Sequence, residues 1–102
     1  MEQFKTSLVI STYNWPEALE LCLKSGLQQT VAPDEILVAD DGSDERTARL
    51  IARYRGESEI PIVHVWQEDT GFRLGSIRNK AIARATGDYI IQIDGDVILH
   101  PD

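Results

Sequence analysis

A chain of 102 residues is the size of one small domain. Its composition, 42% hydrophobic and 26% charged, excludes a disordered tract or a fibrous repeat. With 10 basic against 17 acidic residues the net charge is −7, which excludes nucleic acid as the main partner. A small phosphate-bearing ligand stays open, because it needs only a metal or a few local donors.

Four short apolar runs alternate with three helical patterns. The first run, Ser7 to Ser11, is rich in Val and Ile with little polar alternation, as strands covered on both faces are. A helix is then expected from Pro16, since proline suits the first helical position. Leu19, Cys22, Leu23 and Leu27 fall on one face of it. Cys22 is the single cysteine, so it forms no internal disulfide, and on that face it reads as a buried structural thiol. A reducing, cytosolic environment fits it.

The second run is Glu35 to Asp40, followed by a helix capped by Ser43 or Asp44 with Ala48, Ile51 and Ala52 as its inner stripe. The third run, Pro61 to Trp66, leads to a helix from about Gly75 to Thr86, with Ile77, Ala81, Ile82 and Ala85 inward. Gly87 stands where a left-handed helix stop is expected. The fourth run is Asp88 to Asp94. Met1 to Thr6 is polar and shows no signal-peptide pattern, and no run approaches the roughly 20 apolar residues of a membrane span.

The order β-α-β-α-β-α-β with right-handed crossovers gives an α/β fold: an open, doubly wound, mostly parallel sheet of the Rossmann-like kind. One domain, residues 1–102, is expected. Ligands of such sheets bind outside the carboxyl ends of the strands. Those ends carry Ser11-Thr12-Tyr13-Asn14, Asp40-Asp41-Gly42-Ser43-Asp44 and Asp94-Gly95-Asp96.

Asp94 and Asp96 flank a glycine directly after a buried strand. Converging carboxylates suit a hard cation such as Mg²⁺ or Mn²⁺, although Asp-Gly-Asp also reads as a plain turn. Capping accounts for Ser43 and Asp44 but less well for Asp40 and Asp41. Arg73 and Arg78, beside Gly71 and Gly75 near a helix start, suit a diphosphate. Lys80 and Arg84 read equally well as a solvated helix face. His64 reads as a structural or edge residue, and Trp15 and Trp66 as core or rim packing.

Four segments together resemble the family 2 glycosyltransferases, which have the GT-A fold. They are Val9-Ile10-Ser11-Thr12-Tyr13-Asn14, Asp40-Asp41-Gly42-Ser43-Asp44, Arg78-Asn79-Lys80-Ala81-Ile82 with Ala85-Thr86-Gly87-Asp88, and Asp94-Gly95-Asp96. Gly71-Phe72-Arg73 further resembles a subgroup with polysaccharide galactosyl- and hexosaminyltransferases. The resemblance implies a UDP- or other NDP-sugar donor, a divalent Mn²⁺ or Mg²⁺, and transfer with inversion to a saccharide or lipid-linked acceptor. By motif, Ser11 and Tyr13 would line the nucleotide pocket, Asp41 would contact the base and Asp40 would support it. Arg78 would lie near the nucleotide or its diphosphate. Asp94 would reach the ribose or metal, and Asp96 would ligate the metal. It also implies work in the cytoplasm, or at the cytoplasmic face of a membrane through other segments of a parent protein.

Family members carry the general base and acceptor region well after the Asp-x-Asp motif, whereas this chain stops at Asp102. The expectation is therefore a truncated domain with little or no transferase activity of its own, and a fourth strand whose open edge invites dimerisation or strand exchange. A non-catalytic nucleotide-binding module remains the alternative. A phosphoacceptor domain lacks its aspartate at the third strand's end, and a nucleotidyltransferase lacks its glycine-rich loop after the first strand.

Overall fold

The computed structural model describes residues 5–28, 33–68 and 74–94. Its elements are β1 (Thr6–Thr12), α1 (Pro16–Leu27), β2 (Glu35–Asp40), α2 (Glu45–Glu57), β3 (Ile62–Trp66), α3 (Leu74–Arg84) and β4 (Tyr89–Asp94). All three strand pairings are parallel and the sheet order is β3-β2-β1-β4. The fold class is the expected one. The chain winds outward from β1 to β3 and then returns to the far side of β1. The topological switch point therefore lies at β1 and β4, where such sheets open a ligand crevice.

The two faces of the sheet carry separate cores. Leu8, Ile10, Ile36, Val38 and Ile62 pack with Leu19, Cys22 and Leu23 of α1 and with Ile51 and Tyr54 of α2. Val9, Leu37, Ala39 and Val65 pack with Ile77 and Ala81 of α3. Strand side chains alternate between faces, so even-numbered β2 residues meet α1 and α2 and odd-numbered ones meet α3. Burying each large aliphatic side chain contributes about 1.5–3 kcal/mol. Cys22 is buried, as the helix pattern requires.

Three local expectations are corrected. Ala48 and Ala52 are exposed, and the inner stripe of α2 is Thr47, Ile51 and Tyr54 with half-buried Leu50. The helix is rotated so that Tyr54 reaches inward and donates its hydroxyl to Glu20 of α1 at 2.9 Å. Gly87 does not adopt a left-handed conformation; among described glycines Gly42 alone has positive φ, at 87°. Gly87 is needed for close approach. A Cβ there would meet the Ser7 Oγ, lie 2.7 Å from the Ser7 nitrogen and 3.1 Å from the Lys5 carbonyl oxygen.

Helix α3 also stops at Arg84, short of Thr86. The Thr86 N–H leaves the helix and donates to the Glu35 carboxylate at 2.6 Å, and its hydroxyl donates to the same oxygen at 3.1 Å. Ser7 Oγ also donates to Glu35, at 2.5 Å, and itself accepts from the Gly87 N–H at 2.9 Å. Burial would raise the Glu35 carboxyl, but hydrogen bonds from Ser7, Thr86 and Gly87 outweigh it and hold it below the usual 4.5. This knot ties the amino ends of β1, β2 and β4 together, opposite the edge that carries the motifs.

Candidate nucleotide-binding edge

The turn after β1 and the turn after β2 clasp each other. Asn14 takes a left-handed conformation, φ 44°, which asparagine tolerates better than most residues. Its N–H donates to Ser43 Oγ at 2.8 Å, and its side-chain carbonyl accepts from the Asp44 N–H at 2.8 Å. Asp44 then caps α2 by accepting from the Arg46 N–H at 3.1 Å. Of the two capping candidates, Asp44 is the cap and Ser43 is the clasp. Gly42, just before Ser43, supplies the positive φ that turns the chain.

The adjacent aspartates Asp40 and Asp41 face opposite sides of the sheet, and their partners differ accordingly. Asp40 is fully buried on the side of α1 and α2. It accepts from the Ser43 N–H at 2.9 Å and pairs with His64 Nε2 at 2.7 Å. His64 is thus structural, as expected, and its partner is the first aspartate of the motif. The Trp66 indole N–H donates to the Ser43 carbonyl at 3.2 Å while its ring stays 52% exposed, a rim position. Trp15 and Tyr13 are exposed on the same edge.

Asp41 turns to the α3 side. It is buried and accepts from Gln67 Nε2 at 2.6 Å. Gln67 follows β3 directly, as Asp41 follows β2, and its N–H donates to the Asp40 carbonyl at 3.1 Å. The Gln67 carbonyl oxygen accepts from Lys80 Nζ at 3.0 Å and from Ser76 Oγ at 3.4 Å. On the same side Arg78 Nη2 donates to Ser11 Oγ at 3.3 Å. Ser11 Oγ lies 3.4 Å from the Ile93 carbonyl, bridging β1 to β4. Asp94 is paired in register with Ser11.

One edge therefore gathers Ser11, Asp41, Gln67, Arg78 and Lys80, with the Asp94 backbone beside Ser11. Two cations stand there in a chain of net charge −7, so the edge is locally suited to phosphate. Asp96, Gly71, Phe72 and Arg73 lie outside the described residues. Among the described residues no group of three or more His, Cys, Asp or Glu side chains gathers to hold a metal. Gln67 was missed in the sequence, and Lys80 was read as no better than a solvated residue. The alternation of side chains would have found Gln67, since it leaves its strand at the position equivalent to Asp41.

The groove between α1 and α2, lined by Glu17, Glu20, Arg46, Arg49 and Arg53, is a different kind of surface. Its arginines are paired: Arg53 binds Glu20, as Tyr54 also does, Arg49 binds Glu45 and Arg46 binds Asp44. The hydrogen bond from Tyr54, ahead of the one from Arg53 and the positive charge of nearby Lys24, holds the Glu20 carboxyl low.

The glycosyl transferase family 2 model matches residues 7–102. The chain belongs to glycosyl transferase family 2. Validoxylamine A glucosyltransferase of Streptomyces hygroscopicus subsp. limoneus is 36% identical over 93% of this chain and 21% of its own length. Hyaluronan synthase of Pasteurella multocida is 34% identical over 93% of this chain and 10% of its own. The chain thus spans about a fifth of the first of these relatives and a tenth of the second.

S. aureus TarS 1-349, solved in complex with UDP-GlcNAc, superposes with a TM-score of 0.78 at 26% identity, over 95% of this chain and 28% of that one. The mannosyltransferase PcManGT of Pyrobaculum calidifontis, in complex with GDP-Man and Mn²⁺, superposes at 0.82 with 22% identity, over 95% of this chain and 29% of that one. The latter likeness speaks for the fold, which is that of the GT-A glycosyltransferases. Among the described residues of this family 2 chain, no helix is long and apolar enough to cross a membrane.

Proposed function

We propose that the α3-side edge of this sheet holds the nucleoside diphosphate of a sugar donor, most naturally a UDP-sugar. The observation that carries the reading is the convergence of Ser11, Asp41 and Arg78 on one side of the switch point. Asp41 is an acceptor-only group suited to a base N–H. Arg78 supplies a fork of donors suited to a diphosphate oxygen. Asp40 has its partners on the opposite face, and its role is to hold the turn that presents Asp41.

Asp94 and Asp96 have the hard-oxygen chemistry of a Mg²⁺ or Mn²⁺ site, and the Asp94 backbone is in register with Ser11 at the same edge. A cation bound there would supply neutralisation of the charge that builds on the departing diphosphate. The UDP-GlcNAc complex of TarS and the GDP-Man and Mn²⁺ complex of PcManGT support a nucleotide-sugar ligand with a divalent ion. On this reading the chain is the donor half of an inverting transferase acting on a saccharide or lipid-linked acceptor. It has little transfer activity by itself, because the carboxylates placed at its ligand edge, Asp40 and Asp41, are each engaged by neighbouring side chains. Detectable sugar transfer by the purified chain would contradict that part.

Among the described residues strand β4 is one edge of the sheet, with Tyr89, Ile90 and Ile91 exposed. Such an edge favours pairing with a second copy, and a monomeric mass at all concentrations would contradict self-association. The test of the nucleotide site is calorimetric titration with UDP, with and without Mn²⁺, on the chain and on Asp96→Ala. Metal-dependent binding that disappears in the variant is expected. Binding that ignores both metal and substitution contradicts the metal assignment, and no binding at all contradicts the site.

A further inference from the structure

Asp41 does not stand alone at the edge. Three side chains from three elements meet in series: Lys80 of α3, Gln67 after β3 and Asp41 after β2. Their chemistry fixes the order of the bonds. An ammonium only donates and a carboxylate only accepts. A side-chain amide placed between them must turn its carbonyl to Lys80 and its NH₂ to Asp41. The amide orientation thus follows from its neighbours and is not open to inversion. Ser76 Oγ donates to the same carbonyl at 3.4 Å and reinforces it.

The Gln67 backbone is itself held, since its N–H donates to the Asp40 carbonyl. Both ends of this glutamine are pinned to the turn that carries the aspartate pair. Gln67 is buried, while Lys80 is exposed and approaches from outside. A solvated lysine would have no reason to lie against a buried amide in a chain with 17 acidic residues.

We propose that Lys80 and Gln67 form a brace that positions Asp41 and thereby sets nucleobase selectivity, an inference that rests on the nucleotide-site reading above. Both are positioning residues. A carboxylate fixed in place accepts from a ring N–H, which uracil presents at N3. Cytosine presents a bare acceptor at the same ring position and repels it. A carboxylate free to swing reaches the exocyclic amine of cytosine instead. The brace therefore favours UDP over CDP, and loosening it erodes that ratio more than it erodes binding in general. A purely structural role would weaken both nucleotides alike.

The experiment uses the full chain and three variants, Lys80→Met, Lys80→Arg and Gln67→Leu, each titrated with UDP and with CDP in Mn²⁺. Side-chain amide resonances recorded without nucleotide report whether Gln67 is still held. A hydrogen bond to a charged group corresponds to roughly a tenfold change in affinity. UDP affinity is expected to fall about that much in Lys80→Met and Gln67→Leu, with CDP less affected. Lys80→Arg keeps a donor and is expected to restore both the Gln67 resonances and the ratio. Lys80 is exposed, so Lys80→Met decides the matter if Gln67→Leu unfolds. An unchanged UDP-to-CDP ratio in a folded Lys80→Met overturns the brace while leaving the nucleotide site standing. Failure of the unsubstituted chain to bind either nucleotide overturns the nucleotide site, and the brace with it.

Discussion

Replacing Gly87 by alanine should cost far more than the same change at Gly56. A Cβ on residue 87 would lie 2.7 Å from the Ser7 nitrogen and 3.1 Å from the Lys5 carbonyl oxygen, besides striking Ser7 Oγ. Two of those atoms are backbone. Ser7 is paired to Glu35 on one side and to Ile90 on the other, so it cannot retreat without disturbing two ladders. Overpacking that cannot be relieved by side-chain motion costs about 3 kcal/mol, the upper end of its usual range. At Gly56, in the last turn of α2, an added Cβ meets nothing within 4 Å. There the substitution should stabilise by about 0.5 kcal/mol.

Both changes remove the same backbone freedom from the unfolded chain, so their difference isolates the native-state clash. Urea denaturation at neutral pH measures it, provided the slope is unchanged. Gly87→Asn separates two readings of the residue. A left-handed helix stop would tolerate asparagine better than alanine, whereas close approach makes the larger side chain worse. Gly87→Ala as stable as the unsubstituted chain, or Gly87→Asn more stable than Gly87→Ala, would refute the close-approach argument.

Other outcomes follow from the same contacts. The Glu35 carboxyl is held below 4.5, so its stabilisation is present above that pH and lost as pH falls through its lowered value. Glu35→Gln should cost about 2 kcal/mol at pH 7, and the gap should shrink as pH falls through the lowered carboxyl pKa; a gap independent of pH would contradict the knot. His64→Phe leaves the fully buried Asp40 carboxylate without one of its partners and should destabilise by about 2 kcal/mol in urea melts. A neutral result would mean Asp40 needs no support from β3. The Thr47 hydroxyl is buried and has no hydrogen-bond partner among the described residues, so Thr47→Val should be neutral or stabilising by up to about 1 kcal/mol in a thermal melt. A marked loss would reveal a partner for that oxygen.

The fold was legible because the apolar runs are uninterrupted and the helices between them carry clear faces. Leu19, Cys22 and Leu23 in α1, and Ile77 and Ala81 in α3, fall where periodicity puts them. Helix α2 misled because its two alanines mimic an apolar stripe, while the true stripe uses Thr47 and Tyr54, each with a polar tip. Gly87 misled because a glycine after a helix is most often a stop, and only the neighbouring strand shows that space is the constraint. At the site, motif residues Ser11, Asp41 and Arg78 do converge on one side. Asp40 ends β2 and Asp41 follows it; composition alone gives two adjacent acids, and the face each one occupies separates their partners. Gln67 is reachable from the alternation that it shares with Asp41, whereas Lys80 was illegible because its role lies in a contact made across the fold.

The central claim is the location of the nucleotide, and chemical-shift mapping of the isotope-labelled chain with UDP and Mn²⁺ tests it most directly. The largest changes are expected at Ser11, Asp41, Gln67 and Arg78, with the groove between α1 and α2 around Glu20 and Arg53 unaffected. Changes centred on that groove, or a spectrum indifferent to UDP, would contradict it.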